Sequence, residues 1–214
     1  MTFSDKKGFI VNGKPLKSIN QYFNQKYSQL KSKQNLSISW IMQRLSSKRS
    51  NKITDYLHKA SRYIVNQLVS KGVTDLVIGH NKGWKQDINI GKVNNQNFVS
   101  IPFNRLIEMV SYKCELNGIK IHLQEELYYT SKASFLNLDQ MPTFDAAKVD
   151  LVKHKFSGKR VKRGLYKSRN KSLINADVNG SLNIMRKYLK VAKKDIMFDF
   201  VETSSAPAVF TVKL

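Results

Sequence analysis

The sequence predicts an α/β fold, and three observations carry that expectation. Val73 to Gly79 is a short, nearly continuous apolar run, as in a strand covered on both faces. Phe103, Leu106, Ile107, Val110 and Cys114 then recur at helical intervals. Next, Ile119, Ile121 and Leu123 alternate with Lys120, His122 and Gln124, the period of a half-buried strand. Strand, helix and strand in that order are the units of a sheet built with helical crossovers.

The other elements follow along the chain. Lys7 to Leu16 holds a short apolar run closed by Asn12-Gly13, which reads as an edge strand lacking its neighbour. Ile19, Tyr22, Phe23, Tyr27 and Leu30 mark a helix with Ser18 as its N-cap. A Ser/Lys-rich break at Leu45 to Asn51 precedes a second helix whose buried face is Ile53, Tyr56, Leu57, Ala60, Ile64, Leu68 and Val69, and the pair reads as a helical hairpin. Gly72 stops it before the apolar strand, and His80 to Asn97 is a polar loop. Ser100 and Pro102 open the crossover helix, which Gly118 ends. Glu125 and Glu126 lie just past the following strand, at the strand end where open α/β sheets place their sites. Lys153 to Lys171 carries ten Lys, Arg and His residues without an acid, and reads as a basic loop. A last helix is predicted from Asp177 to Leu189, followed by a tail from Asp195 with Ser204 to Pro207 as a linker.

Composition points to the partner. The 214 residues carry 37 Lys and Arg against 15 Asp and Glu, a net charge of +22. With 41% hydrophobic residues a core is available, so this is a folded domain and not a disordered basic tail. A polyanion, most simply nucleic acid, is the partner implied, because Lys and Arg release condensed counterions from its phosphates; charge serving solubility alone is the alternative. No stretch approaches the roughly 20 apolar residues of a membrane span, and residues 1–5 lack a signal peptide's apolar core. A soluble, intracellular protein with no membrane partner is expected. One cysteine, Cys114, and four scattered histidines speak against a disulfide or a zinc site.

Three ordered blocks carry a family resemblance: Leu76 to Gln86 (LVIGHNKGWKQ), Tyr129 to Phe135 (YTSKASF) and Phe156 to Ile184 (FSGKRVKRGLYKSRNKSLINADVNGSLNI). They resemble the RuvC-like nuclease half of the insertion-sequence OrfB proteins, also called TnpB, relatives of the type V CRISPR effectors. The resemblance implies an RNase H-like (RuvC-type) mixed sheet flanked by helices, with the helical hairpin as an insertion. It implies a domain over residues 1–194 and a tail over 195–214. It also implies a transposon-encoded, RNA-guided DNA endonuclease with DNA and guide RNA as partners. In such enzymes three carboxylates hold two Mg²⁺ or Mn²⁺ ions, which stabilise both the attacking and the leaving oxygen.

Carried over by position, Asp177 matches the family's third carboxylate; an Asp serving only the helix dipole is the alternative. Asn175 and Asn179 either orient it, touch phosphate or cap the helix. Many relatives place a Glu after the central strand where this chain has Gly79, so the second carboxylate falls to Glu126 or its neighbour Glu125. The first, from an Asp-x-Gly strand, has no counterpart, because Asp5 lacks the following glycine. The expectation is a chain whose first sheet strand is missing and whose hydrolysis is impaired. The alternative is a nuclease-dead DNA- or RNA-binding remnant acting as a repressor or accessory factor. The region 153–171 stands where relatives carry a zinc ribbon; there Lys159, Arg160, Lys162 and Arg163 are candidates to grip phosphate, and Tyr166 to stack on a base. Trp84 and Lys85, in the loop after the central strand, either touch nucleic acid or cover the sheet end.

Overall fold

A computed structural model describes residues 1–3, 8–32, 39–80, 101–125, 129–142, 154–162, 164–193 and 207–212. The elements run β1 (Phe9–Val11), α1 (Lys14–Ser32), α2 (Trp40–Ser70), β2 (Asp75–His80), α3 (Phe103–Glu115), β3 (Lys120–Glu125), β4 (Lys159–Lys162), β5 (Leu165–Lys167), β6 (Leu173–Asn175), α4 (Ala176–Val191) and β7 (Ala208–Phe210). The fold is mixed α/β, as expected. Its described strands form three small sheets: β1 with β7, β2 with β3, and β4-β5-β6.

Two compact units divide the chain. One comprises Val11–Leu76, Gly83–Ile121 and Phe210–Leu214. Its core packs Leu16 of α1, Ile53, Tyr56, Leu57 and Ala60 of α2, Met109 of α3, and Val212. Leu57 is fully buried, so Leu57→Ala is expected to cost about 2–5 kcal/mol. Buried polar groups among the described residues of this unit find partners. Lys113 Nζ donates to His58 O at 3.0 Å and to Ser61 Oγ at 2.5 Å. Arg49 Nε donates to the buried Asn20 Oδ1 at 2.7 Å while its guanidinium lies over the Phe23 ring.

Three expectations change here. α1 starts at Lys14, where Asn12 Oδ1 accepts the Lys14 N–H and Pro15 sits in the first turn. Ser18 is thus inside the helix, its hydroxyl donating to Lys14 O. The expected break at Leu45 to Asn51 is continuous helix. Ser39 caps α2 by accepting from Met42 N, and the Ser46 hydroxyl bonds back to Met42 O at 2.9 Å without ending the helix. The edge strand β1 has a neighbour in β7, and Asn12 N–H donates to Phe210 O at 2.8 Å just beyond the pairing.

The stops were legible. Gly72 and Gly118 both adopt positive φ, at 62° and 69°, and end α2 and α3. After them β2 and β3 begin side by side, with Lys120 N–H donating to Thr74 O at 2.9 Å, as a crossover through α3 requires.

The other unit comprises Met1–Ile10, Val77–Lys82 and His122–Val209. Its core joins Phe135, Tyr166, Ile174, Ala176, Val178 and Leu182. The basic stretch expected as a loop contains the antiparallel hairpin β4-β5, pairing Lys159 with Lys167, Arg160 with Tyr166 and Lys162 with Leu165. Gly164, at φ 77°, turns it. β5 pairs antiparallel with β6, and β6 runs directly into α4.

Candidate nucleic-acid interface

β4 is the edge of its three-stranded sheet, and all four of its residues are exposed. Lys159, Arg160 and Lys162 therefore present three cations within one turn of ribbon. The strand behind them is rigidly founded. Tyr166 of β5 is fully buried and its hydroxyl donates to Lys132 O at 2.8 Å. Burial, then the nearby Asp139 charge, pushes its phenol up to about 12. Gly158 is required where the chain enters β4, because a Cβ there would lie 2.6 Å from the Tyr166 ring and 2.7 Å from Lys167 O.

The start of α4 holds the acidic candidate. Asn175 is the N-cap, its Oδ1 accepting from Asp177 N at 2.9 Å and Val178 N at 3.2 Å. This fixes the backbone of Asp177 and leaves its carboxylate exposed, 3.6 Å from the Arg160 guanidinium across the sheet. An ion pair this exposed contributes about 0.2–1 kcal/mol, little enough for a phosphate to displace it. The Met1 ammonium, which donates to Phe9 O at 2.8 Å, also feels the Asp177 charge, although burial lowers its pKa.

Behind this surface lies a polar scaffold. Asn179 is fully buried, its Oδ1 accepting from Phe135 N and its Nδ2 donating to Ala133 O, both at 2.9 Å. Asn183, one turn on and also fully buried, donates to Thr130 O and Ala133 O. Asp139 Oδ2 accepts from Ser134 N at 2.8 Å and Ser157 N at 3.0 Å, and Arg186 of α4 donates to Asp139 O. Burial alone would raise the Asp139 carboxyl. The hydrogen bonds from Ser157 and Ser134 and the Arg186 charge outweigh it and hold the group below its ordinary value. The 129–139 segment, β4-β5 and α4 are thereby locked together.

The sequence-derived candidates separate accordingly. Arg160 and Asp177 are brought together, whereas Lys159 precedes Arg160 in the strand and so stands on the opposite face of the ribbon, and Lys162 follows the bulge after Arg160. Tyr166 is a correction: its ring is core, with no face left for a base. Asn175 is a half-buried cap, and Asn179 is a fully buried pin that is not placed at the surface to meet phosphate. Tyr129 packs against Phe156 and His154 at φ 77°. Glu126, Arg163, Trp84 and Lys85 lie outside the described residues, as does the Glu125 side chain. What sequence reasoning missed was the Arg160–Asp177 pair, which only the antiparallel register brings together. The Asn183 pin had a signal, two asparagines four residues apart on one helix.

A divalent ion needs several oxygen ligands. Asp177 offers one exposed carboxylate, with cations as its described charged neighbours. Among the described residues no three His, Cys, Asp or Glu side chains converge. Those residues alone do not form a divalent-ion site.

Two family models match parts of the chain. Residues 1–85 match the family model OrfB_IS605, described as a probable transposase, and residues 103–184 match the Cas12f1-like TNB domain. No curated protein matches the chain. No described helix is long and apolar enough to cross a membrane. The two matches lie in chain order and take in the blocks quoted above except Gln86, so the chain is a member of the transposon-associated OrfB/TnpB family, related to the type V effectors.

Proposed function

We propose that this chain is the nucleic-acid-binding, RuvC-like domain of a TnpB-type protein, which holds DNA through the row Lys159, Arg160 and Lys162, with guide RNA as the family's second partner. The observation that carries this reading is the exposed basic edge strand standing beside a buried, hydrogen-bonded foundation. Phosphate binding needs cations that are exposed yet positioned, and β4 supplies both properties.

In this reading Asp177 is the acidic site residue, and Glu126 or Glu125 is the candidate second oxygen ligand for Mg²⁺ or Mn²⁺. In this reading binding is the dominant property and phosphodiester hydrolysis is impaired.

Salt titration of duplex DNA binding tests the proposal. Replacing Lys159, Arg160 and Lys162 by Gln is expected to flatten the slope of log K against log salt by about 2.7, at about 0.9 per phosphate contact. An unchanged slope removes β4 from the interface. Metal-dependent cutting that Asp177→Ala abolishes would replace the impaired reading with that of a working nuclease.

A further inference from the structure

We infer that α2 carries a second nucleic-acid site, a stripe of Trp40, Arg44, Lys48 and Lys52 that takes single-stranded nucleic acid. The inference does not rest on β4, which belongs to the other unit.

The first observation is charge. From Lys6 to Thr54 the sequence holds eleven Lys and Arg and no Asp or Glu. Within such a stretch the cations repel one another, no acid of the segment balances them, and an external anion would. The second is geometry. Trp40, Arg44, Lys48 and Lys52 follow one another at intervals of four, all of them exposed. At 3.6 residues per turn they stay within about a third of the helix circumference and span about 18 Å of its length. The opposite side of α2 is the buried one, with Met42, Ile53, Tyr56, Leu57 and Ala60 in the core. The stripe therefore faces away from the packing that holds the helix.

The third observation selects the partner. Trp40 is 68% exposed at the head of the stripe, with the Arg44 guanidinium 5.3 Å from its ring centroid. An indole left in water is costly unless something covers it. An apolar protein surface would cover the ring but strand the three cations, and a duplex would satisfy the cations but offer no free base. A single strand satisfies both: its bases stack on an aromatic ring while its backbone meets the cations. Arg44, already over the ring, extends the platform on which a base would lie.

The full chain with Trp84→Phe leaves Trp40 as the sole tryptophan, so its fluorescence reports on the stripe. The probes are oligo(dT), oligo(U), a duplex of equal length, and polyphosphate, which has charge but no bases. Expected is quenching by either single strand and little by duplex or polyphosphate, and the stronger of oligo(dT) and oligo(U) names the strand. Trp40→Ala is expected to weaken single-strand binding about tenfold, with Trp40→Phe recovering most of it. Gln at Arg44, Lys48 and Lys52 is expected to flatten the single-strand salt slope by about 2. All four side chains are exposed, so circular dichroism should show these variants folded. Equal quenching by polyphosphate, or single-strand affinity indifferent to both variants, would overturn the inference. Should single-strand binding instead be lost only with the β4 substitutions, the stripe fails and the proposed function stands. Should it be lost only with the α2 substitutions while duplex binding ignores β4, the stripe stands and the β4 reading fails.

Discussion

Replacing Asn179 by Ala separates a structural role from a ligand-binding one at a position where the sequence left both open. The amide makes two buried hydrogen bonds, from Phe135 N and to Ala133 O, each 2.9 Å long. Ala133 O keeps a partner in the variant, because Asn183 Nδ2 donates to it as well. Phe135 N–H loses the acceptor that Asn179 gives it, in a place where water has no access. A buried donor stripped of its acceptor costs about 1–3 kcal/mol, and the space vacated by the amide adds to it, so about 2–4 kcal/mol is expected. For a chain of this size that is a fall in Tm of roughly 5–15 °C, read by circular dichroism. Asn175→Ala, which removes only the cap, should cost about 1 kcal/mol. At a temperature where both variants are folded, DNA affinity should be nearly unchanged for Asn179→Ala. A destabilisation below about 0.5 kcal/mol together with a tenfold or greater loss of affinity would show that Asn179 meets the ligand and that the pin reading is wrong.

Gly158→Ala places a methyl 2.6 Å from the Tyr166 ring and is expected to cost about 1–3 kcal/mol in a urea melt, with near-normal stability refuting the close approach. The Tyr166 phenol, raised from about 10 to about 12, contributes stability that is whole below pH 10 and lost as pH rises through 12. A shift of this size corresponds to roughly 2–3 kcal/mol, and Tyr166→Phe should erase that alkaline dependence in melts between pH 9 and pH 12. Asp139 has the opposite sign: its lowered carboxyl stabilises the fold above its unfolded value near pH 4, and the gain is lost as pH falls through the folded value. Asp139→Asn should therefore be less stable at pH 7 and show a shallower acid limb, and an unchanged acid limb would refute the assignment.

Much of the fold was legible because local signals agreed with tertiary ones. The Gly72 and Gly118 stops, the β2-α3-β3 order and the start of α4 all follow from periodicity and glycine conformation. The misreadings have physical causes. The serines at 46, 47 and 50 look like a helix break, yet Ser46 returns its hydroxyl to the Met42 carbonyl and the helix continues between buried Met42 and Ile53. The β1 strand looks partnerless because its neighbour, β7, is nearly two hundred residues away in sequence. At the candidate site Lys159, Arg160 and Lys162 were legible as a charge cluster, whereas the burial of Tyr166 was not. An aromatic between cations has the same sequence signature whether it stacks on a base or supports the strand from behind.

That ambiguity bears on what the family's recognisable string encodes. Within Tyr129 to Phe135 and Phe156 to Ile184, Ala133, Phe135, Tyr166, Ile174, Val178, Asn179, Leu182 and Asn183 are buried and touch or hydrogen-bond one another's segments. These residues form a packing and hydrogen-bonding code, and its product is a rigid mount. Lys159, Arg160, Lys162 and Asp177 are interspersed in the same string but exposed, and they carry the surface chemistry. The two sets act through different terms, one through the folding equilibrium and the other through charge presented to a ligand. Asn179→Ala combined with Lys159→Gln should therefore show additive costs, within about 0.5 kcal/mol, in both stability and DNA affinity. Strong coupling in affinity would mean that the mount yields when nucleic acid binds, and that the buried asparagines help shape the interface rather than merely hold it.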